Sequence, residues 1–123
     1  LIEQADEASP RECCGLLAGK NGVIQACFPL PNASLHPERR YFAEPQALVR
    51  AFRDIRERDQ ELLGIYHSHP SSSPEPSPTD IEQALYPDCT YFIVGPAEYD
   101  PRLRAFRITD ERVEPVAISW AEM

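Results

Sequence analysis

A chain of 123 residues, 42% hydrophobic and 26% charged, is the size of one domain and can bury a single core. Its 20 acidic residues outnumber its 12 lysines and arginines, leaving a net charge of -8, which argues against nucleic acid as the main partner. No apolar run approaches the roughly 20 residues that span a bilayer, so no membrane partner is expected.

Leu1 to Ala8 is helix-compatible and ends at Ser9-Pro10. A helix that short is marginal alone and the chain does not start with methionine, so upstream residues and a removed leader stay open, although nothing resembles a signal peptide. Glu12 precedes Cys13 to Ala18, an apolar run of buried-strand length, followed by the turn signal Gly19-Lys20-Asn21-Gly22. Val23 to Leu30 reads as its hairpin partner. Taken alone, a glutamate at a strand mouth is an exposed and idle residue. Asn32 to Tyr41 is a polar loop, and its His36 reads as a surface histidine rather than a ligand.

Pro45 suits a helix N-terminus, and Leu48, Phe52 and Ile55 fall at i, i+4 and i+7. That spacing predicts an amphipathic helix from about Gln46 to Asp59 with one stripe on the sheet. Six arginines crowd positions 39 to 58, as a solvated helix face or as a surface for an acidic partner. Leu62 to His67 follows as a strand, and the succession of helix, strand and polar loop is α/β in character. A further helix begins at Ser77, ahead of Ile81, Ala84 and Leu85, and Thr90 to Val94 is another buried strand. Leu103 to Thr109 and Arg112 to Ile118 read as a terminal hairpin about Asp110-Glu111, a turn that lacks the glycine expected there. No internal repeat or linker interrupts the chain, so residues 1–123 read as a single domain.

The cysteines, at positions 13, 14, 27 and 89, have no C-x-x-C spacing, which makes a structural zinc site improbable. Cys13 and Cys14 would point to opposite faces of one strand as small core residues. A disulfide between strands stays open, but cysteines inside apolar runs with no secretory signal suit a reducing cytoplasm.

The chemistry concentrates in Gly64-Ile65-Tyr66-His67-Ser68-His69-Pro70 and the Ser/Pro-rich loop that leads to Ser77-Pro78-Thr79-Asp80. Residues two apart on a strand share a side, about 6.6 Å apart along the backbone, so both imidazoles can converge on one ion. Pro70 stops the strand, and the loop from Ser71 to Pro76 lets the chain turn back and bring Asp80 to the same ion. Two neutral imidazoles and a carboxylate are a catalytic zinc ligand set with a fourth position for water. Seven acids and no lysine or arginine lie between Glu61 and Pro101, so a bound dication would relieve local repulsion. Ser77-Pro78-Thr79-Asp80 is equally an ordinary capping box with proline at the first helical position. The two uses are compatible, because Ser77 can cap while Asp80 ligates.

His67-Ser68-His69-Pro70, six residues, Ser77, two residues and Asp80 resembles the JAMM (MPN+) metallopeptidase signature, H-[ST]-H-P-x6-S-x-x-D. Pro10-Arg11-Glu12-Cys13-Cys14-Gly15-Leu16-Leu17 is similar to the upstream segment in which that family carries a glutamate opening a buried strand. The resemblance implies a cytidine-deaminase-like fold, a curved mixed β-sheet flanked by helices. It implies one zinc per chain on His67, His69 and Asp80, with Glu12 as general acid/base and Ser77 donating to the developing oxyanion. Ser68 alternates away from the metal and reads as structural.

Family members cleave peptide or isopeptide bonds after the Gly-Gly tail of ubiquitin-like proteins. The small size here is most similar to the compact prokaryotic members, which act on sulfur-carrier proteins and in some cases release an attached amino acid such as cysteine. An extended tail would dock as an added strand. A non-catalytic MPN scaffold and a metallopeptidase for an unrelated peptide are the alternatives, and the oligomeric state stays open.

Overall fold

The computed structural model describes residues 1–38 and 40–119. The elements run α1 (Ile2–Ala8), β1 (Cys14–Lys20), β2 (Val23–Leu30), α2 (Pro45–Glu57), β3 (Glu61–Ser68), α3 (Pro78–Glu82), β4 (Thr90–Val94), β5 (Leu103–Thr109) and β6 (Arg112–Val116). The strands form one six-stranded sheet in the order β2-β1-β3-β4-β5-β6. Only the β3–β4 pair is parallel, and the other pairs are antiparallel. A parallel pair needs a crossover, and the connection that leaves β3 carries α3 before the chain re-enters the sheet as β4. The carboxyl ends of β3 and β4 therefore open on one crevice, where α/β sheets place their ligands.

β1, β3 and β4 are buried almost end to end, which explains why they read as apolar runs without alternation. Successive residues feed opposite layers. Cys14, Leu16, Ile65, Tyr91 and Ile93 join Ala51 and Ile55 of α2 on one face. Cys13, Leu17, Tyr66, Phe92 and Val94 join Ala5 of α1 on the other. Cys13 and Cys14 thus fall on opposite faces, as their adjacency requires, and all four cysteines are free thiols. Register shifts beside Ala18 in both pairings of β1 add local twist and curve the sheet. Both edge strands carry a proline, Pro29 and Pro115, which blunts them against pairing with another chain.

Two element ends differ from the sequence reading, and the terminal hairpin forms where it was read. α3 ends at Glu82, and Leu85 is 76% exposed instead of joining Ile81 and Ala84 against the core. Pro87 follows closely and disfavours helix at Tyr86, whose amide is instead satisfied by the Tyr91 hydroxyl at 3.1 Å. β6 stops at Val116, short of Ile118, although Ile118 still packs on the α1 face. The glycine-free turn closes because Asp110 and Glu111 both take positive φ, 48° and 66°, the conformation a tight hairpin needs. Along α2, Arg50, Arg53, Arg56 and Arg58 are exposed, in keeping with a solvated face, while Arg39 lies outside the described residues.

Gly15 illustrates how closely β1 and β3 pack. A Cβ there would lie 2.3 Å from the Tyr66 Oη, which donates to Gln4 Oε1 at 2.7 Å and so ties α1 to the sheet. Gly15→Ala should displace the Tyr66 ring and cost about 1 to 3 kcal/mol of stability, read as a lower urea midpoint. An unchanged midpoint would show that the ring moves freely.

Candidate metal centre

His67, next to last in β3, faces Cys14 of β1 on the α2 side of the sheet and is 1% exposed. His69 lies just past the strand, held to β4 by its amide, which donates to the Val94 carbonyl at 2.8 Å. Asp80 sits in the first turn of α3. The Ser77 Oγ accepts from the Asp80 amide at 3.1 Å, and the Ser77 amide donates to Asp80 Oδ2 at 2.9 Å, which completes the capping box. That same Oδ2 lies 3.1 Å from His67 Nε2 and 3.0 Å from His69 Nε2, and the two Nε2 atoms are 3.1 Å apart. The capping box and the convergence of Asp80 on both imidazoles coexist.

The three atoms form a nearly equilateral triangle. A regular tetrahedral site with ligands at about 2.0 to 2.1 Å has edges of about 3.3 Å, so a small outward relaxation would fit the triangle to zinc. The protonation pattern also suits a cation. His69 Nδ1 donates to the Ser73 carbonyl at 2.8 Å, which leaves the lone pair of the neutral ring on Nε2, aimed at a carboxylate and a second imidazole. Lone pairs converging at such distances repel unless a cation lies among them. Burial lowers His67, and it also pulls on His69, but the Asp80 carboxylate and the Ser73 carbonyl together outweigh it and leave His69 raised. Without a cation, protons on the two Nε2 atoms must take its place: burial opposes ionisation of Asp80, yet hydrogen bonds from both imidazoles in that state hold its carboxyl well below the usual range. The loop between His69 and Asp80 is pinned from behind, because Pro74 packs so closely on Gly95 that a Cβ there would lie 2.9 Å from the proline Cδ.

Glu12 precedes β1 and comes alongside through strand pairing. Cys14 faces His67 across β1 and β3, the Ser68 amide donates to the Cys13 carbonyl at 3.0 Å, and the Cys13 amide donates to Ser68 Oγ at 2.8 Å. Ser68 is thereby consumed structurally, as its alternation predicts. Glu12 is 5% exposed, contrary to the idle surface glutamate its position alone suggests. Burial pushes its carboxyl up to about 7, with the imidazole of His69 pulling it down and the carboxylate of Asp80 pushing it up. A carboxyl poised near neutrality beside a cation site is suited to carrying a proton. Ser77 accepts from the Asp80 amide through Oγ and keeps its own proton for another acceptor.

Two residues of the surroundings were not singled out in the sequence. The Tyr41 ring stacks on His67, with centroids 4.6 Å apart and planes 23° from parallel, and the His67 Nδ1 is buried without a hydrogen-bond partner among the described residues. Asn32 hydrogen-bonds the Glu12 carbonyl at 3.0 Å. Tyr41 left no local signal inside a polar loop. Asn32 left one, since asparagine two residues before a free amide is a turn former, and its Oδ1 accepts from the Ser34 amide at 3.0 Å. His36 is exposed and stands apart from the cluster, as expected.

Compared with known proteins, residues 1–109 match the family described as prokaryotic homologs of the JAB domain. The desampylase of Haloferax volcanii is 33% identical over 112 residues, covering 89% of this chain and 78% of that protein. The CysO-cysteine peptidase of Mycobacterium tuberculosis is 32% identical over 123 residues, covering 96% and 84%. A solution structure from Desulfitobacterium hafniense superposes with a TM-score of 0.84 at 27% identity, over 99% of this chain and 86% of that one.

Proposed function

The chain belongs to the prokaryotic JAB family of JAMM/MPN proteins, and from that premise we propose that it is a zinc peptidase or isopeptidase. It would hydrolyse the amide bond after the C-terminal Gly-Gly of a ubiquitin-like or sulfur-carrier protein. The relatives named desampylase and CysO-cysteine peptidase support that substrate class, and the second supports an attached amino acid such as cysteine as one leaving group. The observation that carries the reading is the triangle of His67 Nε2, His69 Nε2 and Asp80 Oδ2 with the buried carboxyl of Glu12 beside it. Free buried thiols at Cys13, Cys14 and Cys89 suit a reducing, cytoplasmic setting.

His67, His69 and Asp80 would hold one zinc ion, which when bound supplies Lewis acidity and a water of lowered pKa. The remaining work falls to the chain. Glu12 takes the proton of the attacking water on its carboxylate and passes it to the nitrogen of the departing amine. The Ser77 hydroxyl, oriented by the Asp80 amide on its Oγ, donates to the scissile carbonyl oxygen as negative charge develops there.

The test is incubation of the zinc-loaded protein with a panel of Gly-Gly-tailed carrier adducts and unrelated peptides, read by mass spectrometry. Cleavage directly after Gly-Gly is expected. Cleavage only of unrelated peptides would overturn the substrate class, and a zinc-loaded protein that cleaves nothing would point to a binding scaffold.

A further inference from the structure

Between β2 and α2 the chain leaves the sheet, and one side chain closes the loop it makes. Asn32 Oδ1 accepts from the amides of Ser34 and Phe42, both at 3.0 Å, and Asn32 Nδ2 donates to the carbonyls of Arg40 and Glu12, both at 3.0 Å. The backbone zips the same neck. Asn32 bridges to Ala43, the Ala33 amide donates to the Phe42 carbonyl at 2.7 Å, and the Glu44 amide donates to the Pro31 carbonyl at 3.0 Å.

Glu12 is gripped by this loop on both sides. Its amide donates to the Pro37 carbonyl at 2.6 Å while its carbonyl accepts from Asn32, whose Nδ2 also lies 3.4 Å from the Pro37 oxygen. Glu12 itself precedes β1, so these contacts act together with the pairing of Cys13 and Cys14 to the end of β3 in fixing where its side chain starts. The same loop carries Tyr41 onto the ring of His67. Only a carboxamide meets this demand, because it offers lone pairs to two amides and hydrogens to two carbonyls. Aspartate keeps the first half and loses the second.

We propose that Asn32 is a positioning residue of the site, its carboxamide tying the backbone of Glu12 to the loop that stacks Tyr41 on His67. The proton carrier and a metal ligand are thereby aligned through one side chain. This rests on the reading of Glu12 as the proton carrier of a zinc peptidase. Asn32→Asp tests the role, since it preserves acceptance from Ser34 and Phe42 and sets a carboxylate against the Glu12 and Arg40 carbonyls.

The experiment compares amide hydrogen exchange and steady-state cleavage in zinc-loaded wild type, Asn32→Asp, Glu12→Gln and the double variant. In Asn32→Asp the Glu12 amide should exchange at least about 10-fold faster while the Leu16 and Ile65 amides are unchanged. Zinc content should stay at the wild-type level and kcat should fall about 10- to 100-fold with KM within about twofold. In the Glu12→Gln background the same substitution should remove less than about twofold of the residual rate. An unchanged Glu12 amide, an unchanged kcat, or an equal loss in both backgrounds would overturn the proposal. If Asn32→Asp does not fold, Asn32→Ser takes its place with the same expectations, its hydroxyl keeping the turn to Ser34 but falling short of the Glu12 carbonyl. A wild type that cleaves no adduct would sink the peptidase reading, and the exchange result would still decide whether Asn32 fixes Glu12.

Discussion

Glu12→Gln is expected to keep zinc at the wild-type level and to lower kcat by about 10²- to 10⁴-fold, the range that a positioned general acid/base supplies. Glutamine preserves the shape and the backbone tethers of Glu12 but cannot take a proton from water. The acid limb of the wild-type rate should belong to the same group. The base form of Glu12 is the working one, so kcat/KM falls as pH drops through its pKa, which burial raises and a bound dication lowers, placing the limb at or below about 7. Near wild-type hydrolysis in Glu12→Gln would remove Glu12 from proton transfer.

The same substitution should stabilise the metal-free protein. Because the Glu12 pKa in the folded state, about 7, exceeds the ordinary value of 4.5, the native state binds the proton more tightly than the unfolded chain. Stability therefore falls as pH rises between those values. Above pH 7 the metal-free Glu12→Gln protein should be more stable than wild type by an upper bound of about 3 kcal/mol, measured by denaturant titration. A site that gains stability when its carboxyl is neutralised holds that carboxyl for function.

Asp80→Asn is the second large effect. The amide can still accept from the Ser77 backbone through its oxygen, so the helix start survives, but the negative charge facing two imidazoles is gone. Zinc affinity should fall by more than the roughly 10- to 100-fold that loss of an outer hydrogen-bond partner costs, and activity should disappear with the metal. Competition with a chromophoric chelator would measure this. Unchanged affinity would remove Asp80 from the ligand set and leave it as a cap.

The chain's own periodicities made much of this legible. His67 and His69 could be paired from strand geometry, and Asp80 from the proline-rich return loop, because those relations are local. The buried strands β1, β3 and β4 were legible as apolar runs because the sheet is covered on both faces. Glu12 was different. Nothing within several residues of it distinguishes a working carboxylate from a surface one, and only the resemblance to a known signature singled it out. The cause lies in the pairing of β1 with β3, which joins residues more than 50 positions apart. Asn32 and Tyr41 escaped for the same reason, since their partners are Glu12 and His67, distant in sequence. The end of α3 was not legible from apolar spacing, because Leu85 follows Ile81 and Ala84 in that spacing yet lies exposed beyond the helix.

Zinc bound per chain is the most direct measurement of the metal centre, made by plasma mass spectrometry on protein purified without chelator, reconstituted with zinc and freed of excess metal. About one zinc per chain is expected from two imidazoles and one carboxylate converging at tetrahedral spacing. Retention of no zinc would contradict a metal centre at His67, His69 and Asp80, return Ser77 to Asp80 to a helix cap alone, and favour a non-catalytic scaffold.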